Sequence, residues 1–222
     1  MKNIFLLGDR DSSSPTHREL DAAIELLPGG VTARWVGTDS PDAVRTSQAD
    51  AVWVVPGSPY RNDTAVYSAI SSARTSGQPF LGTCGGFQYA VVEFARNVAG
   101  IADADHAETT PDGNTLVIGQ LACSLIAQER NVTAISGTRM HALCGDAPFV
   151  GFHWCNYGLA AVYADRLVER GLVIAARADD AGVEAVELPN HPFFLATLFQ
   201  PQIGSIAGKP LHPVIEAFVA SI

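Results

Sequence analysis

The stretch Pro79-Phe80-Leu81-Gly82-Thr83-Cys84-Gly85-Gly86-Phe87-Gln88 constrains this chain most. It opens apolar, as a buried strand does. It then passes through a glycine-rich turn into Tyr89-Ala90-Val91-Val92-Glu93-Phe94-Ala95, which reads as a helix. A cysteine flanked by glycines at a strand-to-helix turn has the pattern of a nucleophile elbow. Such a turn is tight and strained, so its neighbours must be small. It aims the sulfur outward, at the positive end of the following helix. The free N–H groups there favour a thiolate and a developing oxyanion. The alternative for Cys84 is a small buried hydrophobe with no chemistry.

The rest of the chain supplies the sheet that such an elbow needs. Asn3 to Gly8 and Ala51 to Val55 are short apolar runs, and Val31 to Val36 alternates; all read as strands. Pro15 to Leu27 has apolar residues at helical spacing, with Ser14 as candidate N-cap and Pro15 at the first helical position. Thr64 to Ser76 reads as a second helix. Up to Gly100 the order is β-α-β-β-α-β-α, which predicts an α/β fold with a mostly parallel central sheet and helices on both faces. Functional loops of such sheets lie at the carboxyl ends of the strands, so Gly57 and Cys84 are expected on one edge. His17, at the start of the first helix, could face that edge and is given no role.

The middle of the chain changes character. Thr115 to Gly119, Ala122 to Ile126 and Val132 to Ile135 read as short β segments, a small antiparallel excursion. Ala160 to Arg170 reads as a helix. Gly171 to Ala176 and Val183 to Leu188 read as a hairpin around Asp179-Asp180-Ala181-Gly182. Phe193 to Phe199 reads as a buried strand and Pro213 to Ala220 as a last helix. No repeat or linker interrupts this, and one domain over 1–222 is expected, a size that supports a sizeable core.

Charge narrows the partners. The net charge is −9 with no Lys/Arg cluster, which argues against nucleic acid or an anionic membrane. No apolar run approaches a membrane span, and no secretory signal is read, because Asp9, Arg10 and Asp11 cut off the first run. Cys84, Cys123, Cys144 and Cys155 have no metal-ligand spacing, so neither a metal nor another cofactor is expected. Free thiols in a reducing, cytoplasmic setting are expected. The acidic pairs Asp103/Asp105 and Asp179/Asp180 are read as loop charges.

At this point separated matches accumulate. Phe80-Leu81-Gly82-Thr83-Cys84-Gly85-Gly86-Phe87-Gln88 with Glu93 to Gly100, Val55-Pro56-Gly57, and Val186-Glu187-Leu188-Pro189-Asn190-His191-Pro192 with Phe194 and Thr197 resemble the class I glutamine amidotransferases. Within them the nearest likeness is to the carboxyl-terminal glutaminase domain of CTP synthase, over nearly the whole chain. The resemblance implies a flavodoxin-like sheet. It also implies a Cys that attacks a glutamine side-chain amide, a His acting as base and acid, and a Glu that orients the His. By resemblance Cys84 is the nucleophile, Gly57 and Gly85 form the oxyanion hole, and Gln88 and Glu108 hold substrate.

Other positions depart from that pattern. Where the family carries F-H-P-E, this chain has Phe199-Gln200-Pro201-Gln202, so amides stand at both remaining triad positions. An amide donates and accepts hydrogen bonds but does not shuttle a proton near neutral pH. Asn156 aligns with the arginine that grips the substrate carboxylate, and Ser58 replaces a glycine of the V-P-G-G loop. Ordinary glutamine hydrolysis is therefore expected to be lost or altered, and no synthetase domain is read. His153 is an alternative base or a strand histidine satisfied by a backbone carbonyl. Cys155 is a structural thiol or a second thiol approaching Cys84. His191 is read as structural, and Cys123 and Cys144 as core or surface thiols. The expected ligand is small and amino-acid-like or an amide, with a separate synthetase subunit or a second copy of the chain as possible partner. The alternatives are a non-catalytic binding or regulatory subunit, or a thiol hydrolase acting on a different small amide.

Overall fold

Apolar residues along the strands alternate between two cores, and that alternation builds the sheet. In the computed structural model, residues 1–179, 181–205 and 210–222 are described. The chain runs β1 (Lys2–Leu7), α1 (Pro15–Glu25), β2 (Val31–Val36), a 3-10 segment (Pro41–Gln48), β3 (Ala51–Val54), α2 (Asp63–Ser76), β4 (Phe80–Thr83) and α3 (Gly85–Asn97). It continues through β5 (Asp105–His106), β6 (Leu116–Gln120), β7 (Gln128–Ala134), α4 (Arg139–Cys144), β8 (Phe149–His153) and β9 (Tyr157–Leu159). The last elements are α5 (Ala161–Glu169), β10 (Val173–Ala178), β11 (Gly182–Glu187), β12 (Phe194–Thr197) and α6 (Pro213–Ala220).

The main sheet has the order β2-β1-β3-β4-β12-β11-β10-β7-β8. From β2 to β12 neighbours are parallel, and from β12 to β8 they are antiparallel. Phe5, Leu7, Val52, Val54, Phe80 and Phe194 point to a core beneath α2, α3 and α5. Ile4, Leu6, Ala51, Trp53, Leu81 and Leu195 point to a core beneath α1, α4 and α6. A period of two in the strands thus feeds two helical layers. On the first layer α2 and α3 are tied by a buried ion pair. Arg74 donates to both oxygens of Glu93, at 2.9 and 2.8 Å, and Asn97 adds a third bond at 2.9 Å.

The antiparallel part is larger than the expected excursion. It extends the main sheet by four strands, while β5-β6-β9 forms a separate three-stranded sheet. The expected strand at Ala122 to Ile126 is not formed. That segment is a loop, held where the Leu125 N–H bonds to the Cys155 carbonyl, and the positive φ of Ala127 ends any extended run. The neighbouring strand begins at Gln128, earlier than the expected Val132, because polar Gln128, Glu129 and Arg130 pair with β8 along an open edge. Ser14 stands at the N-cap of α1 but makes no side-chain cap bond. Asp180, half of one acidic pair, lies outside the described residues.

Candidate functional site

Cys84 sits between β4 and α3 with φ 53° and ψ −106°, a conformation that costs a non-glycine residue about 1–3 kcal/mol. Glycine makes the turn possible on both sides. A Cβ on Gly86 would lie 2.2 Å from the Val54 carbonyl oxygen, and one on Gly82 would lie 2.7 Å from the Gly86 oxygen. The first turn of α3 therefore rests directly on the strand backbones. The Cys84 N–H bonds to the Thr197 carbonyl at 2.8 Å, so β12 also anchors the turn. Gly85 opens α3, where N–H groups have no partner within their own helix. A Cβ on Gly85 would meet Ser58 at 3.0 Å, which puts the loop after β3 in contact with the elbow. Gly57 in that loop has φ 129°, a backbone region that favours glycine, and faces His17.

These loops border a cleft of about 400 Å³. Gly57, Cys84, Gln88, Glu108, Asn156 and Gln200 all line it. Gln202 lies behind, fully buried, and its Nε2 donates to Gln200 Oε1 at 2.8 Å. Among the described residues, Gln200 Nε2 and Gln202 Oε1 have no partner. Turning both amides over would keep the bond and leave the other atom of each unpartnered.

The substrate-side residues form one network. Gln88 Oε1 accepts from His106 Nε2 at 3.0 Å and lies 3.1 Å from the Ser58 hydroxyl, which is 2.9 Å from Glu108 Oε2. Gln88 Nε2 donates to the Tyr157 carbonyl, and the Glu108 N–H donates to His106 Nδ1. His106 is thus a neutral imidazole bonded through both nitrogens. Burial pushes it down to about 4, against a smaller opposing effect of Asp105. Burial also raises the Glu108 carboxyl, opposed by its bond to Ser58. Sequence reading missed His106. Its position two residues before Glu108 was the available signal.

His17 lines the cleft, but its Nδ1 accepts from the Asp11 N–H and its Nε2 donates to the Pro56 carbonyl. His153 does not line the cleft. Its Nε2 bonds the Glu184 carboxylate at 2.8 and 3.0 Å, both residues are fully buried, and Nδ1 has no partner among the described residues. The strand histidine is therefore held by a carboxylate, not by a backbone carbonyl. His191 Nε2 donates to the Ala73 carbonyl, and neither residue lines the cleft. Cys123 is exposed, and burial raises the Cys144 thiol to about 11.

Alternation at the end of β8 turns Trp154 outward and buries Cys155 in the cleft beside Cys84. Cys84 Sγ lies 3.8 Å from the Trp154 carbonyl. The Cys155 thiol is pushed well above its ordinary range, first by its hydrogen bond to Cys84, then by burial and by negative charge on Cys84 and Glu184. Asp9, Asp11 and Glu108 bring carboxylates to the cleft, and among the described residues no lysine or arginine lines it. Among the described residues, no group of three or more His, Cys, Asp or Glu is arranged to hold a metal ion. No helix among them is long and apolar enough to cross a membrane.

The family model "Glutamine amidotransferase class-I" matches residues 17–202. The CTP synthase of Pyrobaculum aerophilum is 35% identical over 205 residues, covering 86% of this chain and 37% of that protein. The CTP synthase of Aeropyrum pernix is 37% identical over 188 residues, covering 79% of this chain and 34% of that protein. The chain thus spans well under half the length of these relatives. Among solved structures, the Trypanosoma brucei CTPS glutaminase domain with bound acivicin superposes with a TM-score of 0.86 at 24% identity, covering 100% of this chain and 93% of that one. A glutamine amidotransferase from Thermotoga maritima gives 0.59 at 11% identity, covering 91% and 77%. Both share the fold.

Proposed function

The chain belongs to the class I glutamine amidotransferase family, and from that premise we propose that it keeps the amidotransferase cleft and its cysteine while ordinary glutamine hydrolysis is lost or altered. One observation carries this reading: the buried Gln200–Gln202 amide pair, bonded at 2.8 Å beside Cys84. Amide hydrolysis by a thiol needs a group that protonates the leaving amine and then deprotonates water. Neither glutamine does this. His17, which lines the cleft, has both nitrogens engaged.

The same cleft retains parts that bind. Gly57 and Gly85 stand where an oxyanion is stabilised, and Gln88 and Glu108 stand where an amide or amino-acid-like ligand is held. Asn156 offers an amide where an anchoring arginine would neutralise a carboxylate. With Asp9, Asp11 and Glu108 nearby, neutral or cationic small molecules are favoured over anions. The four free cysteines suit a reducing compartment such as the cytoplasm. A separate synthetase subunit or a second copy of the chain is the partner this family relationship suggests. A purely binding or regulatory role is the second reading, favoured by the same amide pair.

Ammonia release from glutamine tests the first reading, with Cys84→Ala as control. The expected result is release at the level of that control. Turnover comparable to an ordinary glutaminase, abolished by the substitution, would overturn it. Labelling with an electrophilic glutamine analogue separates the second reading. Cys84 reacting no faster than exposed Cys123 would favour binding alone.

A further inference from the structure

We propose that Cys84 and Cys155 form a reversible dithiol–disulfide couple that exchanges with small neutral or cationic disulfides entering the cleft. Both sulfurs lie in the same cleft, 5% and 6% exposed, as free thiols. Cys84 Sγ lies 3.8 Å from the carbonyl of Trp154, the residue before Cys155, so the two thiols are neighbours in the cleft. Cys84 stands at the first turn of α3, where backbone N–H groups favour a sulfur anion. Gln200, 2% exposed, brings an unpartnered amide atom to the same cleft. Trp154 and Ile126, partly exposed at the rim, offer apolar surface to the organic part of a ligand.

The step balances without any group beyond the disulfide. The Cys84 thiolate attacks one sulfur of R–S–S–R, a Cys84–S–S–R bond forms, and one thiolate leaves. Cys84, once in a disulfide, carries no negative charge beside Cys155, so one of the influences that raise the Cys155 thiol is gone. Cys155 gives its proton to water, its thiolate attacks the Cys84 sulfur, and the second thiolate leaves. The protein loses two electrons and two protons, and R–S–S–R becomes two R–SH. Excess thiol runs the sequence backward. The neighbouring sulfur resolves the mixed disulfide because it is already placed, as in other well-oriented intramolecular reactions.

The inference goes beyond the altered glutaminase and fails separately from it, since ammonia release reads one and thiol state reads the other. Reduced protein is treated with cystamine without oxygen, quenched in acid, alkylated, and mapped by mass spectrometry. In the wild type a disulfide joining the Cys84 and Cys155 peptides is expected. Cys155→Ser should instead keep a cystamine adduct at Cys84 that persists at least about tenfold longer. Cys84→Ser should give neither product, while exposed Cys123 reports ordinary thiol reactivity in every variant. A lasting Cys84 adduct in the wild type, or linkage through Cys123 or Cys144 only, would overturn the couple. Glutathione disulfide should react about tenfold more slowly than cystamine, and equal rates would overturn the charge preference.

Discussion

Replacing Gln200 by His and Gln202 by Glu together is the sharpest test of the amide pair. Gln200 already lines the cleft and accepts a 2.8 Å bond from Gln202. In Gln200→His/Gln202→Glu that bond becomes an imidazole N–H donating to a carboxylate, which fixes the tautomer and leaves the other ring nitrogen free. General acid–base catalysis is worth about a hundredfold to ten-thousandfold, or about 3–5 kcal/mol of barrier. Each single substitution should recover little, because such groups act as a unit. The gain should appear in kcat, with KM staying high, since Asp9, Asp11 and Glu108 line the cleft and no lysine or arginine among the described residues joins them. The assay is ammonia release from glutamine across pH, with the double variant acquiring a new acidic limb. A double variant no faster than the better single, with its fold intact by circular dichroism, would refute the reasoning.

Other expected outcomes concern the scaffold. Burial lowers His106 to about 4, whereas an unfolded imidazole sits near 6.5, so the unfolded chain takes up that proton first as pH falls. Stability is then full above about pH 6.5 and falls by about 3 kcal/mol toward pH 4, read by urea unfolding; His106→Asn should flatten the slope. His212, lowered to about 4 by burial, adds to the same window. Arg74→Met leaves the Glu93 carboxylate buried and unpaired, so a loss of about 3–5 kcal/mol is expected in denaturant unfolding, and a loss below about 1 kcal/mol would contradict the assignment. Gly86→Ala places a methyl 2.2 Å from the Val54 oxygen, and thermal unfolding should show a loss of at least about 3 kcal/mol.

The parallel half of the sheet was legible because β1, β3, β4 and β12 are short, apolar and bounded by turns. The antiparallel half was harder. Gln128, Glu129 and Arg130 show no apolar alternation because they lie on an edge, so the start of β7 is fixed by pairing with β8 and not by local pattern. Ala122 to Ile126 carries strand-forming residues, yet its backbone is spent on holding the Cys155 carbonyl. At the site, Cys84 and its glycines announced themselves through spacing. His106 did not, because its role depends on Gln88 and Glu108 converging from different elements. The His153–Glu184 bond likewise joins β8 to β11 across 31 positions, a separation over which no local signal exists.

What the cleft keeps and what it has exchanged sort by chemistry. Gly57 lines the cleft and Gly85 opens α3 beside it, the places where the proposed reading puts stabilisation of negative charge. The two positions that would move protons are amides, while the carboxylate-bonded imidazole His153 lies outside the cleft lining. The proposed loss of amide hydrolysis follows from those terms, because an amine leaves only when protonated. Disulfide exchange does not share that requirement, because its leaving group departs as a thiolate. On the proposed reading, a helix-terminal cysteine with a second thiol in the same cleft is therefore poorly equipped for one reaction and sufficiently equipped for the other. The nucleophile elbow fixes where a sulfur reacts, and its neighbours decide with what. Here the neighbours are a thiol and an amide.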